Sequence, residues 1–188
     1  MTASAEMTLF TLTREHPDFQ AEAIGENVVL AMMNRLEPYG TWVPNYAEIA
    51  AGIAQAANHD PLLPGRKDGC KLTAALLVAL AFVRSGFHPN LTTQKGFGLF
   101  QIRPPSPRID GNRLLRPRDA AYIAVDLVRQ SMLASREEPW EVRLAWLLSE
   151  TGAPSTADVK KSMDIMILAE SVFEGAFGSR PKALPEGR

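Results

Sequence analysis

The segment Lys71 to Phe87 constrains this chain more than any other, because it is apolar on nearly every side. Leu72, Ala75, Leu76, Leu80 and Val83 recur at helical spacing, and alanines, leucines and valines fill most of the positions between them. A helix apolar all round belongs inside a protein core or inside a membrane. The run from Ala74 to Val83 meets Arg84 well before the roughly 18 apolar residues that a spanning helix needs. A buried central helix is therefore predicted, and the rest of the chain has to supply helices to cover it.

Those helices are visible in the periodicity. Phe19 to Glu37, preceded by Asp18 as an N-cap and closed by Pro38, reads as one helix. A second runs from Pro44 or Asn45 to Ala57, with Ile49 and Ile53 one turn apart and an alanine-rich face suited to close packing. Pro117 to Ala134, Pro139 to Glu150 and a segment from Ser155 to about Phe173 supply three more. Proline stands in the first turn of two of them, Ser155 with Asp158 forms a capping-box variant, and Gly152 and Gly175 are placed at C-caps. No two alternating β-branched runs are joined by a turn dipeptide, so no sheet beyond a short hairpin is expected. The fold class predicted is all-α, mostly helical. One domain spans residues 19–177, after an N-terminal segment of residues 1–18 and before a polar, disordered tail of residues 178–188.

Composition narrows the function classes. Twenty basic residues against 21 acidic ones leave a formal net charge of -1. No global field draws in nucleic acid or anionic lipid, and neither nucleic-acid binding nor membrane insertion is expected. Cys70 is the only cysteine, which excludes an intrachain disulfide and a cysteine-clustered metal site, and no cofactor is implied. The opening residues lack the basic start and apolar run of a secretory signal, so synthesis and retention in the cytoplasm are expected unless another system moves the chain.

Chemistry enters at residues 79–104. Arg84-Ser85-Gly86-Phe87-His88-Pro89 ends the apolar helix, and Gly96-Phe97-Gly98-Leu99-Phe100-Gln101-Ile102 follows in a loop crowded with glycine and proline. This block resembles the core of the lytic transglycosylases and the related goose-type lysozymes. There a helix ends in Glu-Ser-x-Phe-x-Pro, and a loop reads Gly-Leu-Met-Gln-Ile or Gly-Phe-Gly-Leu-Met-Gln. Ser85, Phe87 and Pro89 match the helix end, and Gly96, Gly98, Leu99, Gln101 and Ile102 match the loop. Downstream, Leu144 to Gly152 corresponds to the family's Ala-Tyr-Asn-x-Gly segment, with Ser149 at the tyrosine and Glu150 at the asparagine. The resemblance implies a lysozyme-like fold over roughly residues 72–173. It also implies peptidoglycan glycan strands as partner, and a substrate groove formed by Arg84, Ser85, Gly98, Leu99, Phe100, Gln101 and Ile102.

The same resemblance exposes a departure. Cleaving a glycosidic bond requires a carboxylic acid held against the leaving oxygen. In lytic transglycosylases one glutamate serves, the sugar's own hydroxyl attacks, and a 1,6-anhydro product is released. That position here is Arg84, which has no proton to give at working pH. Leu72 to Gln101 contains no Asp or Glu to take its place, and the goose-type aspartate positions correspond to Thr92 and Arg103. Losing a general acid removes on the order of 10²–10⁴ in rate.

Three readings follow. The first is a degenerate transglycosylase-like domain that binds glycan weakly or serves in an assembly, without ordinary muramidase activity. The second is an active enzyme with a relocated acid, for which Glu150 near a helix C-terminus is the candidate. The third is a structural component of a virion or injection device with a protein assembly partner, which suits a phage-type protein lacking a secretion signal. Several residues also have plainer roles. Arg84 suits the negative end of a helix dipole, Gln101 can cap loop backbone, and His88 reads as a loop residue. Glu137, Glu138 and Glu141 suit a helix start, Trp146 packs in the core or at its edge, and Trp42 in its proline-flanked loop is the more open tryptophan.

Overall fold

A computed structural model describes residues 21–38, 45–103, 110–134, 138–149 and 153–178. Among them run α1 (Glu26–Leu36), α2 (Tyr46–His59), α3 (Gly69–Ser85), β1 (Thr92–Thr93), β2 (Gly96–Phe97), α4 (Gly111–Leu114), α5 (Pro117–Ala134), α6 (Trp140–Leu148) and α7 (Thr156–Phe177). The two strands form an antiparallel hairpin pairing Thr92 with Phe97 and Thr93 with Gly96. The chain is thus mostly helical. No described helix is long and apolar enough to cross a membrane.

Helix α3 is the axis of the fold. Every residue from Leu72 to Ala81 is buried, and α1, α2, α5 and α7 all pack against it. Its all-round apolar character follows from that position, since each face meets another helix. Cys70, near its start, is buried, and burial pushes the thiol above its ordinary range. The alanine-rich α2 lies close on α5. At Gly52 an added Cβ would stand 3.0 Å from the backbone nitrogen and Cα of Arg118, a tight contact that glycine avoids. Long-range polar ties fix the outer connections. Asn58 exchanges two hydrogen bonds with the Ile24 backbone (2.7 and 2.9 Å), and Arg129 binds the Asp60 carboxylate and the carbonyls of Asp60 and Pro61.

Several element ends differ from the sequence reading. Helix α1 begins only at Glu26, with Gly25 as N-cap, because residues 21–25 run as irregular chain over the start of α3; there Glu22 accepts from Lys71 and pairs with Lys67. Helix α3 spans 69–85 rather than 71–87, since Gly86 in the left-handed region (φ 59°) ends it. Helix α6 stops at Leu148, where Ser149 turns extended. Gly175 is no C-cap. It lies within α7 where an added Cβ would stand 1.9 Å from the Arg35 guanidinium, so its smallness serves the crossing with α1, and Gly178 is the cap. The expected 1–18 segment, the tail beyond Gly178, Trp42, Pro44, Glu137, Glu150 and Gly152 lie outside the described residues.

The capping box at the start of α7 forms as expected. Asp158 N–H donates to Ser155 Oγ (3.2 Å), and Ser155 N–H and Oγ–H donate to Asp158 Oδ2 (2.9 and 2.6 Å). These bonds, with smaller help from Lys161 and Arg84, hold the Asp158 carboxyl below its ordinary 3.8. A carboxyl whose folded value is depressed stabilises the fold above its unfolded pKa, and that contribution fades as pH falls through the folded value. Thermal melts followed down through and below pH 3.8 should therefore show a smaller acid-induced drop in Tm for Asp158→Asn than for wild type. Equal slopes would show that the box carries no pH dependence.

Candidate functional site

The helix end and the glycine loop are built as one unit. Gly86 donates its N–H to Phe82 O (2.8 Å), and Phe87 follows, also at positive φ (64°). Two consecutive left-handed residues turn the chain sharply and drive the Phe87 ring into the core. There it meets Tyr46 edge-on at 5.7 Å and Phe82 at 5.6 Å, with no exposed surface. The loop then folds back on itself: Phe97 and Ile102 exchange backbone hydrogen bonds of 3.0 and 3.1 Å, and Gly98 N–H donates to Leu91 O at 2.8 Å. Leu99 and Phe100 are buried beneath it as apolar anchors.

Gln101 holds the loop from inside. It sits at φ 49° and is 3% exposed. Its Nε2 donates to Leu91 O (2.8 Å) and Gly98 O (2.9 Å), and its Oε1 accepts from the Thr93 hydroxyl (2.6 Å). Both amide protons are thereby engaged, which leaves none for a ligand. Removing the buried amide deletes three hydrogen bonds, each worth about 0.5–1.5 kcal/mol net, although Leu91 O and Gly98 O keep the N–H groups of Gly98 and Gln101 as partners. Gln101→Leu should accordingly lower the unfolding free energy by at least about 2 kcal/mol in a denaturant titration; an unchanged midpoint would mean that the amide does not brace the loop.

Arg84 stands half-buried in the last turn of α3, and its guanidinium reaches across to the loop. Nε donates to Phe100 O at 3.2 Å and Nη2 to Gln101 O at 2.8 Å. The next residue makes a parallel tie: the Ser85 hydroxyl lies 2.7 Å from Leu99 O and 3.1 Å from Ala81 O, sharing its one proton between helix and loop. Three consecutive loop carbonyls are thus held by two consecutive residues of the helix end. The cation also lies at the negative end of the α3 dipole.

A groove of about 690 Å³ opens over this unit, between the hairpin, the end of α3 and α7. A smaller cavity of about 160 Å³ adjoins it toward α5 and α6. Arg84, Lys95, Gln101, Arg103 and Leu148 line both. Of the residues expected in the groove, Arg84, Phe100, Gln101 and Ile102 border the smaller cavity, whereas Ser85, Gly98 and Leu99 lie buried beneath as its support. Of the core or edge positions expected for Trp146, the structure shows the edge: it is 43% exposed and lines the smaller cavity. Ser149 borders it too, its hydroxyl donating to Ala153 O (2.7 Å). Glu150, the relocated-acid candidate, falls outside the described residues.

Chemically, this is a site of cations. The groove adds Lys161 of α7 to Arg84, Lys95 and Arg103, and no Asp or Glu is among the described residues that line either cavity. No group of three or more His, Cys, Asp or Glu side chains among the described residues could hold a metal ion. Sequence reading missed Lys95 and Lys161, and considered Arg103 only as a lost acid. One local signal pointed there: residues 69–109 contain no acidic residue, yet include Lys71, Arg84, Lys95, Arg103 and Arg108. Lys161 carries no such signal, since only the packing of α7 on α3 brings it to the groove. Comparisons with protein-family models, curated proteins and solved structures give no match.

Proposed function

We propose that this chain is a lysozyme-like helical domain, akin to the lytic transglycosylases at its helix end and glycine loop, that binds cell-wall glycan without cleaving it. One observation carries the reading: the position where that family holds its acid is occupied by Arg84, and the guanidinium is bonded to the carbonyls of Phe100 and Gln101. A group in that setting can hold a loop or attract a negative charge, but it has no proton to give a leaving oxygen. The groove above it has room for a saccharide segment, and the half-exposed Trp146 lines the adjoining cavity.

The test combines turnover with retention. Purified peptidoglycan incubated with wild type and with Glu150→Gln should release no 1,6-anhydro muropeptides by mass analysis, while the protein cosediments with the insoluble sacculi. Release by wild type that disappears in Glu150→Gln would make Glu150 the acid and overturn the binding reading. Neither release nor cosedimentation would move the assignment to a structural part of an assembly.

A further inference from the structure

The groove has a charge that the chain as a whole lacks. The sequence carries a formal net charge of -1, yet Arg84, Lys95, Arg103 and Lys161 converge on one concavity with no described carboxylate lining it. Lys95 and Lys161 are exposed and form no ion pair among the described residues. Arg103 reaches along the rim, donating to Gln94 O at 3.3 Å. On α7 the Asp158 carboxylate, bonded to Ser155 in its capping box, does not line the groove but lies within electrostatic reach of Lys161 and Arg84, and so offsets part of their charge. A concave wall lined by one sign of charge focuses the field and raises the local concentration of counter-ions.

We infer that the groove is selective for an anionic saccharide: a glycan chain bearing carboxylate or phosphate groups that meet Lys95, Arg103 and Lys161. This rests on the glycan-binding reading and gives it a substrate class. Neutral sugars are commonly held by amide and carboxyl groups; here the Gln101 amide is fully engaged in its loop and carboxylates are missing from the described lining, which leaves the amide of Gln94 at the rim. The remaining lining suits a sugar backbone. Thr93 and Gln94 bring polar groups to the rim, and Val83, Leu91, Leu148 and Ile165 line the walls, while the half-exposed Trp146 lies in the adjoining smaller cavity. Cations placed around such a lining recognise acidic substituents through charge-assisted hydrogen bonds.

Calorimetric titration of the full chain with five probes decides it: an oligogalacturonate for carboxylate, a glycerol-phosphate teichoic acid for phosphate, chitohexaose as the neutral glycan, poly-glutamate, and an oligothymidylate. The expected result is binding of one or both anionic glycans at least about tenfold tighter than chitohexaose, weakened as salt rises. The combined Lys95→Gln, Lys161→Gln variant should lose about tenfold in that affinity at unchanged melting temperature, since both side chains are exposed. The two anionic probes show which substituent is read. Equal, salt-insensitive binding of chitohexaose would overturn the anion preference and leave glycan binding standing. Preference for poly-glutamate or the oligonucleotide over every saccharide would overturn both, and silence with all five would overturn this inference. Peptidoglycan turnover by wild type would instead remove the non-catalytic reading without touching a measured anion preference.

Discussion

Gly98→Ala is expected to cost more than about 3 kcal/mol and to lower Tm by about 10 °C or more, or to prevent folding outright. Gly98 sits at φ 70°, a conformation that strains any residue with a Cβ. Steric overlap costs more than that strain. A Cβ there would lie 1.8 Å from the Leu114 carbonyl oxygen and 2.7 Å from its carbon, and both atoms are backbone. No rotamer change relieves such a clash, so either α4 or the loop has to move. The loop is bound to the α3 end through Arg84 and Ser85, so its displacement also breaks those bonds. Gly25→Ala is the control: nothing lies within 4 Å of its added Cβ, and it should shift stability by less than about 1 kcal/mol. If the two variants melt alike, the crossing of the loop over α4 is not as tight as described.

Arg84→Glu is expected to release no 1,6-anhydro product and to lose about 3 kcal/mol of stability. The substitution removes two donors from the carbonyls of Phe100 and Gln101 and sets a carboxylate against those same oxygens. It also fails chemically. A general acid needs its pKa raised toward the working pH, whereas Lys95, Arg103 and Lys161 around the same groove favour the ionised form and lower it. Arg84→Met separates the two effects: it loses the donors without adding a charge, and should cost about 2 kcal/mol after allowance for partial exposure. Denaturant titration of the three chains beside a muropeptide assay checks both parts. Turnover gained by Arg84→Glu would show a groove complete but for its acid, and would overturn the account of a site reorganised around a cation.

Much of the helical framework is legible in the sequence because its causes are local. The all-round apolar run of α3 requires burial wherever its neighbours come from, and Ser155 with Asp158 caps α7 through atoms three residues apart. Proline in the first turn places the start of α5. Reading fails where one residue type serves two purposes. Gly175 has the look of a cap, yet it accommodates Arg35 of another helix, and nothing within α7 distinguishes those uses. The start of α1 is hidden for a related reason: residues 21–25 are held by Asn58, Lys67 and Lys71, which are remote in sequence.

For the site, the sequence by itself determined the absence of an acid from the helix end and the loop, and the presence of glycines where backbone must cross backbone. Both are properties of contiguous residues, and the chemistry of arginine at position 84 does not depend on what surrounds it. Only the tertiary structure decided that Gln101 turns inward to brace its own loop, that Ser85 and Leu99 support the groove from beneath, and that four cations share one concavity. Hydrogen-bond partners and electrostatic fields act through space. The meeting of Lys161 with Lys95 across a groove arises when α7 packs on α3, and nothing along the chain between them encodes it.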